Sequence, residues 1–110
     1  MRVLATAAVA LVALAAGSTA TAAPQASVRV GDNFIRPGEK TVSVGSRLSF
    51  RWIGAARHHI VKSRGPGGPI ASPPTAKSGV NLARTFGRAG TYRFLCRIHP
   101  VEMRLKLTVR

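Results

Sequence analysis

Three stretches of this chain alternate apolar and polar residues with a period of two. Leu48, Phe50 and Trp52 alternate with Arg47, Ser49 and Arg51. Tyr92, Phe94 and Cys96 alternate with Thr91, Arg93, Leu95 and Arg97, and Met103, Leu105, Leu107 and Val109 with Arg104, Lys106, Thr108 and Arg110. A period of two puts successive side chains on opposite faces of a strand, so each stretch reads as a strand buried on one face. Shorter runs of the same kind are Val28–Val30, Thr41–Val44, a strand that begins at His58-His59-Ile60-Val61, and Val80–Phe86. Phe34-Ile35 reads as an apolar pair ending in the Pro37-Gly38 turn, and Gly65–Gly79, with four Pro and four Gly, as a long irregular connection. No helical period follows residue 22. Six to eight short strands separated by turns predict an all-β sandwich.

The N-terminus reads differently. Met1-Arg2 opens an apolar run from Val3 to Ala16, and Ala20-Thr21-Ala22 fits a signal-peptidase site. The expectation is a cleaved secretion signal over 1–22 and one domain over 23–110, with a retained N-terminal anchor as the other reading. No cysteine stands near the cleavage site, which argues against a lipid anchor. A domain this small buries only about 60 to 65 per cent of its unfolded surface, so a bound metal would add useful stability. The single cysteine, Cys96, cannot form an internal disulfide in an exported chain. It pairs with another chain, stays free or binds metal.

Cys96 has company. His99 follows it by three residues, and Met103, the only methionine after Met1, follows His99 by four. Alternation points Cys96 and Met103 inward from two strands, with His99 on the loop between them. A fourth donor must come from elsewhere, and His58 or His59 can supply it; Ile60 and Val61 are both apolar, so alternation does not choose between them. A thiolate, two imidazoles and a weak thioether are the donor set of a mononuclear blue-copper site. Each residue has an ordinary explanation by itself: a buried cysteine is a small hydrophobe, an inward methionine is core, and a loop histidine is solvated. It is their joint placement at strand ends that points to copper. Structural zinc is the nearest competitor, but it usually takes four Cys or His ligands.

With these residues in place the chain resembles the cupredoxins, in particular the small plastocyanin and amicyanin-like bacterial group. The resemblance runs through Asp32-Asn33-Phe34-Ile35-Arg36-Pro37, Val42–Gly45, Phe50-Arg51-Trp52, His58-His59-Ile60-Val61 and Gly65-Pro66. It ends in Phe86, Ala89–Cys96 and His99-Pro100, its most specific block. It implies a Greek-key sandwich holding one type 1 copper, with Cys96, His99 and an axial Met103 as ligands. The family's upstream motif looks like His-Asn-Val with a Gly about seven residues after the His. That pattern favours His58 over His59, since Gly65 stands seven after His58. His59 then takes the Asn position, a departure from the family. The loop between His99 and Met103 is a second departure, with three intervening residues where amicyanin-like relatives tend to have two and plastocyanins four.

The implied function is that of an exported one-electron carrier, a monomer in the periplasm, cell envelope or extracellular space. The His99 ring edge would be its electron port. Seventeen Lys and Arg against three acids give a net charge of +14, and sixteen against three still leave +13 without Arg2. Such a field favours a redox partner with an acidic docking surface, with Arg57 and Arg97 beside the ligands, and peripheral contact with an anionic membrane or cell wall. A copper-binding or delivery protein of the envelope would use the same ligands. A metal-free cationic module for anionic polymers or lipid is the third reading. Few aromatic residues are free for base stacking, so no specific nucleic-acid partner is expected. Catalysis is not expected either, because four protein ligands leave copper no open position.

Overall fold

A computed structural model of the protein describes residues 23–110; the expected signal over 1–22 lies outside the described residues. Eight strands follow one another: β1 Gln25–Gly31, β2 Phe34–Arg36, β3 Glu39–Val42, β4 Ser46–Trp52, β5 Ile60–Arg64, β6 Gly79–Phe86, β7 Gly90–Cys96 and β8 Arg104–Val109. They form two four-stranded sheets, ordered β2-β1-β4-β6 and β3-β8-β7-β5. Both sheets are mixed, because β1 runs parallel to β4 and β3 parallel to β8, whereas the other neighbours are antiparallel. No helix occurs among the described residues. The all-β sandwich expected from the alternation is the fold.

The period-two pattern becomes the core. Leu48, Phe50 and Trp52 from β4, and Tyr92, Phe94 and Cys96 from β7, turn inward and are buried, as are Leu105, Leu107 and Val109 from β8. The Phe94 ring stands 5.1 Å from Phe50 and 6.3 Å from Phe86, and Phe86 meets Tyr92 edge-on at 5.0 Å. Offset and edge-to-face contacts of this kind suit the charge distribution of aromatic rings. The outer faces carry the polar residues of the same alternation.

Three local features differ from the sequence expectation. Phe34–Arg36 is a short strand in its own right, paired antiparallel with β1 through a tight turn at Asp32-Asn33. Asn33 takes a left-handed backbone at φ 77°, which asparagine tolerates better than most residues. The third strand lies at Glu39–Val42, earlier than Thr41–Val44, because its pairing with β8 through Glu39↔Lys106 and Val42↔Val109 sets its ends. Finally, β5 starts at Ile60, so both histidines precede it.

The Gly/Pro-rich connection between β5 and β6 has no strand of its own, but it is tied to the β5 edge. Lys62 N–H donates to Ile70 O (2.8 Å) and Ser72 N–H to Ile60 O (2.8 Å), while Ile60 N–H donates to Ser72 Oγ (3.0 Å). His58 and Thr75 exchange backbone bonds of 2.9 and 3.0 Å. Proline removes donors, so this segment pairs only where its N–H groups permit.

Candidate metal centre

Cys96 is the last residue of β7, inward like Tyr92 and Phe94, and it is fully buried. Two backbone bonds close the chain that leaves it. Cys96 N–H donates to Met103 O, and Met103 N–H donates to His99 O, both at 3.1 Å. The loop thus folds back on itself with Met103 buried at its base and His99 at intermediate exposure. Arg104 Nε donates to Pro100 O at 2.7 Å and braces the outer turn.

His58 comes from a different part of the chain. Its backbone is held by Thr75, whose carbonyl oxygen also accepts the Trp52 indole N–H at 2.9 Å. The side chain is fully buried, with Nδ1 3.7 Å from Cys96 Sγ. Donor atoms of His58, Cys96 and His99 all lie within 4.8 Å of one another. The His58 and His99 rings stand 5.7 Å apart, tilted by 58°. His59 behaves otherwise: its backbone N–H points at Cys96 Sγ (3.5 Å), its carbonyl accepts Arg97 N–H (2.9 Å), and its ring contributes no donor atom to the cluster.

The turn between β1 and β2 adds a residue that the sequence reading did not single out as functional. Asp32 Oδ1 lies 3.3 Å from His58 Nε2. Its carboxylate also accepts the N–H groups of Ala56 (2.9 Å) and Ala55 (3.2 Å). These N–H groups, Ala56 first, and His58 after them, hold the Asp32 carboxyl below the usual carboxylate range against an opposing desolvation. With a carboxylate at Nε2, the His58 proton belongs there, which leaves the Nδ1 lone pair facing the sulfur.

That arrangement can be tested against a bound metal. A lone pair at His58 Nδ1 and a cysteine sulfur face each other, and His99 Nδ1 is buried with no hydrogen-bond partner. An orphaned buried nitrogen is costly unless something satisfies it. Metal–ligand bonds of about 2.0–2.3 Å would set neighbouring donors roughly 3.5–4 Å apart in a plane, which agrees with the His58–Cys96 separation. Two imidazoles, one thiolate and no carboxylate among the donors select a soft or borderline ion over magnesium or calcium. The cluster of His58, Cys96, His99 and Met103 fits one type 1 copper.

No family model and no curated protein matches the sequence. Solved structures do match. An oxidized methionine-to-leucine variant of amicyanin aligns with a TM-score of 0.68 and 27% identity, covering 86% of this chain and 89% of that one. The Cu(I) form of a methionine-to-alanine variant of amicyanin aligns with a TM-score of 0.67 and 28% identity over the same shares. A purple cupredoxin from Nitrosopumilus maritimus, at 21% identity and a TM-score of 0.66, shares the fold over 77% of this chain and 99% of its own. Sandwich and donor cluster together are cupredoxin-like. Within that class the chain is amicyanin-like, as its similarity to several amicyanin structures indicates.

Proposed function

We propose that this protein is an exported one-electron carrier that would hold copper through His58 Nδ1, Cys96 Sγ and His99 Nδ1, with the Met103 thioether as a fourth, weaker donor. The observation that carries the reading is the set of donor atoms from His58, Cys96 and His99 within 4.8 Å, one of them an unpartnered buried nitrogen. His58 is the upstream ligand in this reading, and His59 contributes its backbone N–H to the sulfur. Bound copper supplies a Cu(II)/Cu(I) couple.

The chain's part is to hold the donors still. Cys96 is fixed by β7, His58 by Thr75 and Asp32, and His99 and Met103 by the closed loop. A framework that keeps one arrangement in both oxidation states leaves little to reorganise when an electron moves. His99 is the partly exposed member of the set, next to the exposed Ile98, Pro100 and Val101, so its ring edge is the exit for the electron. Arg57 and Arg97 are exposed beside the ligands and orient an acidic redox partner. In this reading residues 1–22 direct export, and residues 23–110 act as a monomer with no catalytic step of their own. The full burial of Cys96 argues against ready transfer of copper to another protein.

The test is to add Cu(II) to the purified protein and record the visible spectrum. An intense thiolate-to-copper band is expected, and Cys96→Ser should abolish it. A colourless protein that holds zinc tightly would overturn the reading.

A further inference from the structure

The outer face of the β2-β1-β4-β6 sheet aligns charge in a way that solubility does not require. Arg29 on β1 stands directly across from Arg36 on β2 and from Arg51 on β4. All three are exposed, because their neighbours Val28, Val30, Ile35, Phe50 and Trp52 fill the inner face. Like charges directly opposite one another on a sheet repel. Nothing on this face compensates them. The chain's three acids are Asp32, engaged with Ala55, Ala56 and His58; Glu39, on the other sheet opposite Lys106; and Glu102, in the loop between His99 and Met103.

The next row along the same strands is apolar. Gly31 pairs with Phe34, whose ring lies so close over Gly31 that a Cβ there would collide with it. Ile53 continues β4 by donating its N–H to Val30 O at 2.9 Å, and its side chain is 50% exposed. The Arg36 guanidinium stacks on the Phe34 ring at 4.3 Å, which joins the two rows. A line of arginines without acidic partners beside the exposed Ile53 and the half-buried Phe34 matches a membrane interface, where anionic headgroups adjoin the acyl region. A soluble polyanion would meet the arginines but gain little from Ile53.

We infer that this sheet face docks the protein on a bilayer rich in anionic phospholipid. The inference does not depend on the copper reading. The molecule would rest on one flank of the sandwich, the outer face of the β2-β1-β4-β6 sheet.

Vesicle sedimentation tests it with protein recovered after export, using phosphatidylglycerol vesicles, phosphatidylcholine vesicles and soluble polyphosphate. Binding to phosphatidylglycerol and not to phosphatidylcholine is expected. The triple variant Arg29→Gln, Arg36→Gln, Arg51→Gln should bind about a hundredfold more weakly. Its thermal midpoint should change little, because relief of the repulsion offsets the lost stacking of Arg36 on Phe34. Ile53→Ser should weaken vesicle binding and leave polyphosphate binding unchanged. Arg64→Gln, Arg93→Gln, Lys106→Gln removes the same charge from a matching row on the other sheet, and should cost only a few-fold. Equal losses in the two triple variants would reduce the effect to net charge and overturn the inference. So would an Ile53→Ser variant that sediments like the parent, which would mark the row as a site for soluble polyanions, or a parent protein that ignores phosphatidylglycerol.

Discussion

Asp32 ties the β1–β2 turn that presents it to the loop after β4 through one carboxylate, which meets the N–H groups of Ala55 and Ala56 and the His58 ring. A partner of this kind fixes the tautomer and the orientation of a metal-binding imidazole. Asp32→Ala should therefore weaken copper binding by roughly 10–100-fold, measured by competition with a chelator. Asp32→Asn should lose less, because an amide oxygen still accepts an N–H. Equal affinity in all three proteins would show that His58 is positioned by its backbone alone. Sequence spacing singled out Cys96, His99 and Met103 because they crowd into eight residues. Asp32 could not be found that way, since its partner lies 26 residues on and only the fold brings them together. Its one signal was rarity, a carboxylate in a chain with three.

At the level of the strand, the aromatic cluster joins the two sheets behind the metal centre. Phe94 is 1% exposed and faces Phe50 and Phe86 across the core. Phe94→Ala should destabilise the metal-free protein by about 3–5 kcal/mol, read from denaturant unfolding. A loss of less than about 1 kcal/mol would mean that the surrounding rings collapse into the gap. The long strands were legible in the sequence because one face of each is buried, which forces strict alternation. What escaped had weaker causes. Phe34–Arg36 is too short to alternate, and Ile70–Thr75 follows the β5 edge through scattered bonds that no periodicity records. Gly65 carried weight in the sequence for its distance from His58, and its place explains the residue type. At φ 127° its missing Cβ would stand 2.9 Å from Tyr92 Cα.

For the whole molecule, charge determines how partners arrive more than how the sandwich folds. Arg57→Glu with Arg97→Glu should slow association with an acidic redox partner at low salt, and the difference should shrink as salt rises. Stopped-flow rates across ionic strength decide it; a rate constant unchanged at low salt removes both arginines from the docking surface.

The strand order has one more consequence. β3 has a single neighbour, β8, the last of the eight strands in sequence, with Glu39 beside Lys106. A chain delivered N-terminus first, from a ribosome or through a membrane pore, cannot complete its second sheet until residue 109 has emerged. Cys96, His99 and Met103 arrive in that same final stretch. Closure of the sandwich and assembly of the donor set are therefore one late event, and a chain still in transit offers copper no finished place to bind.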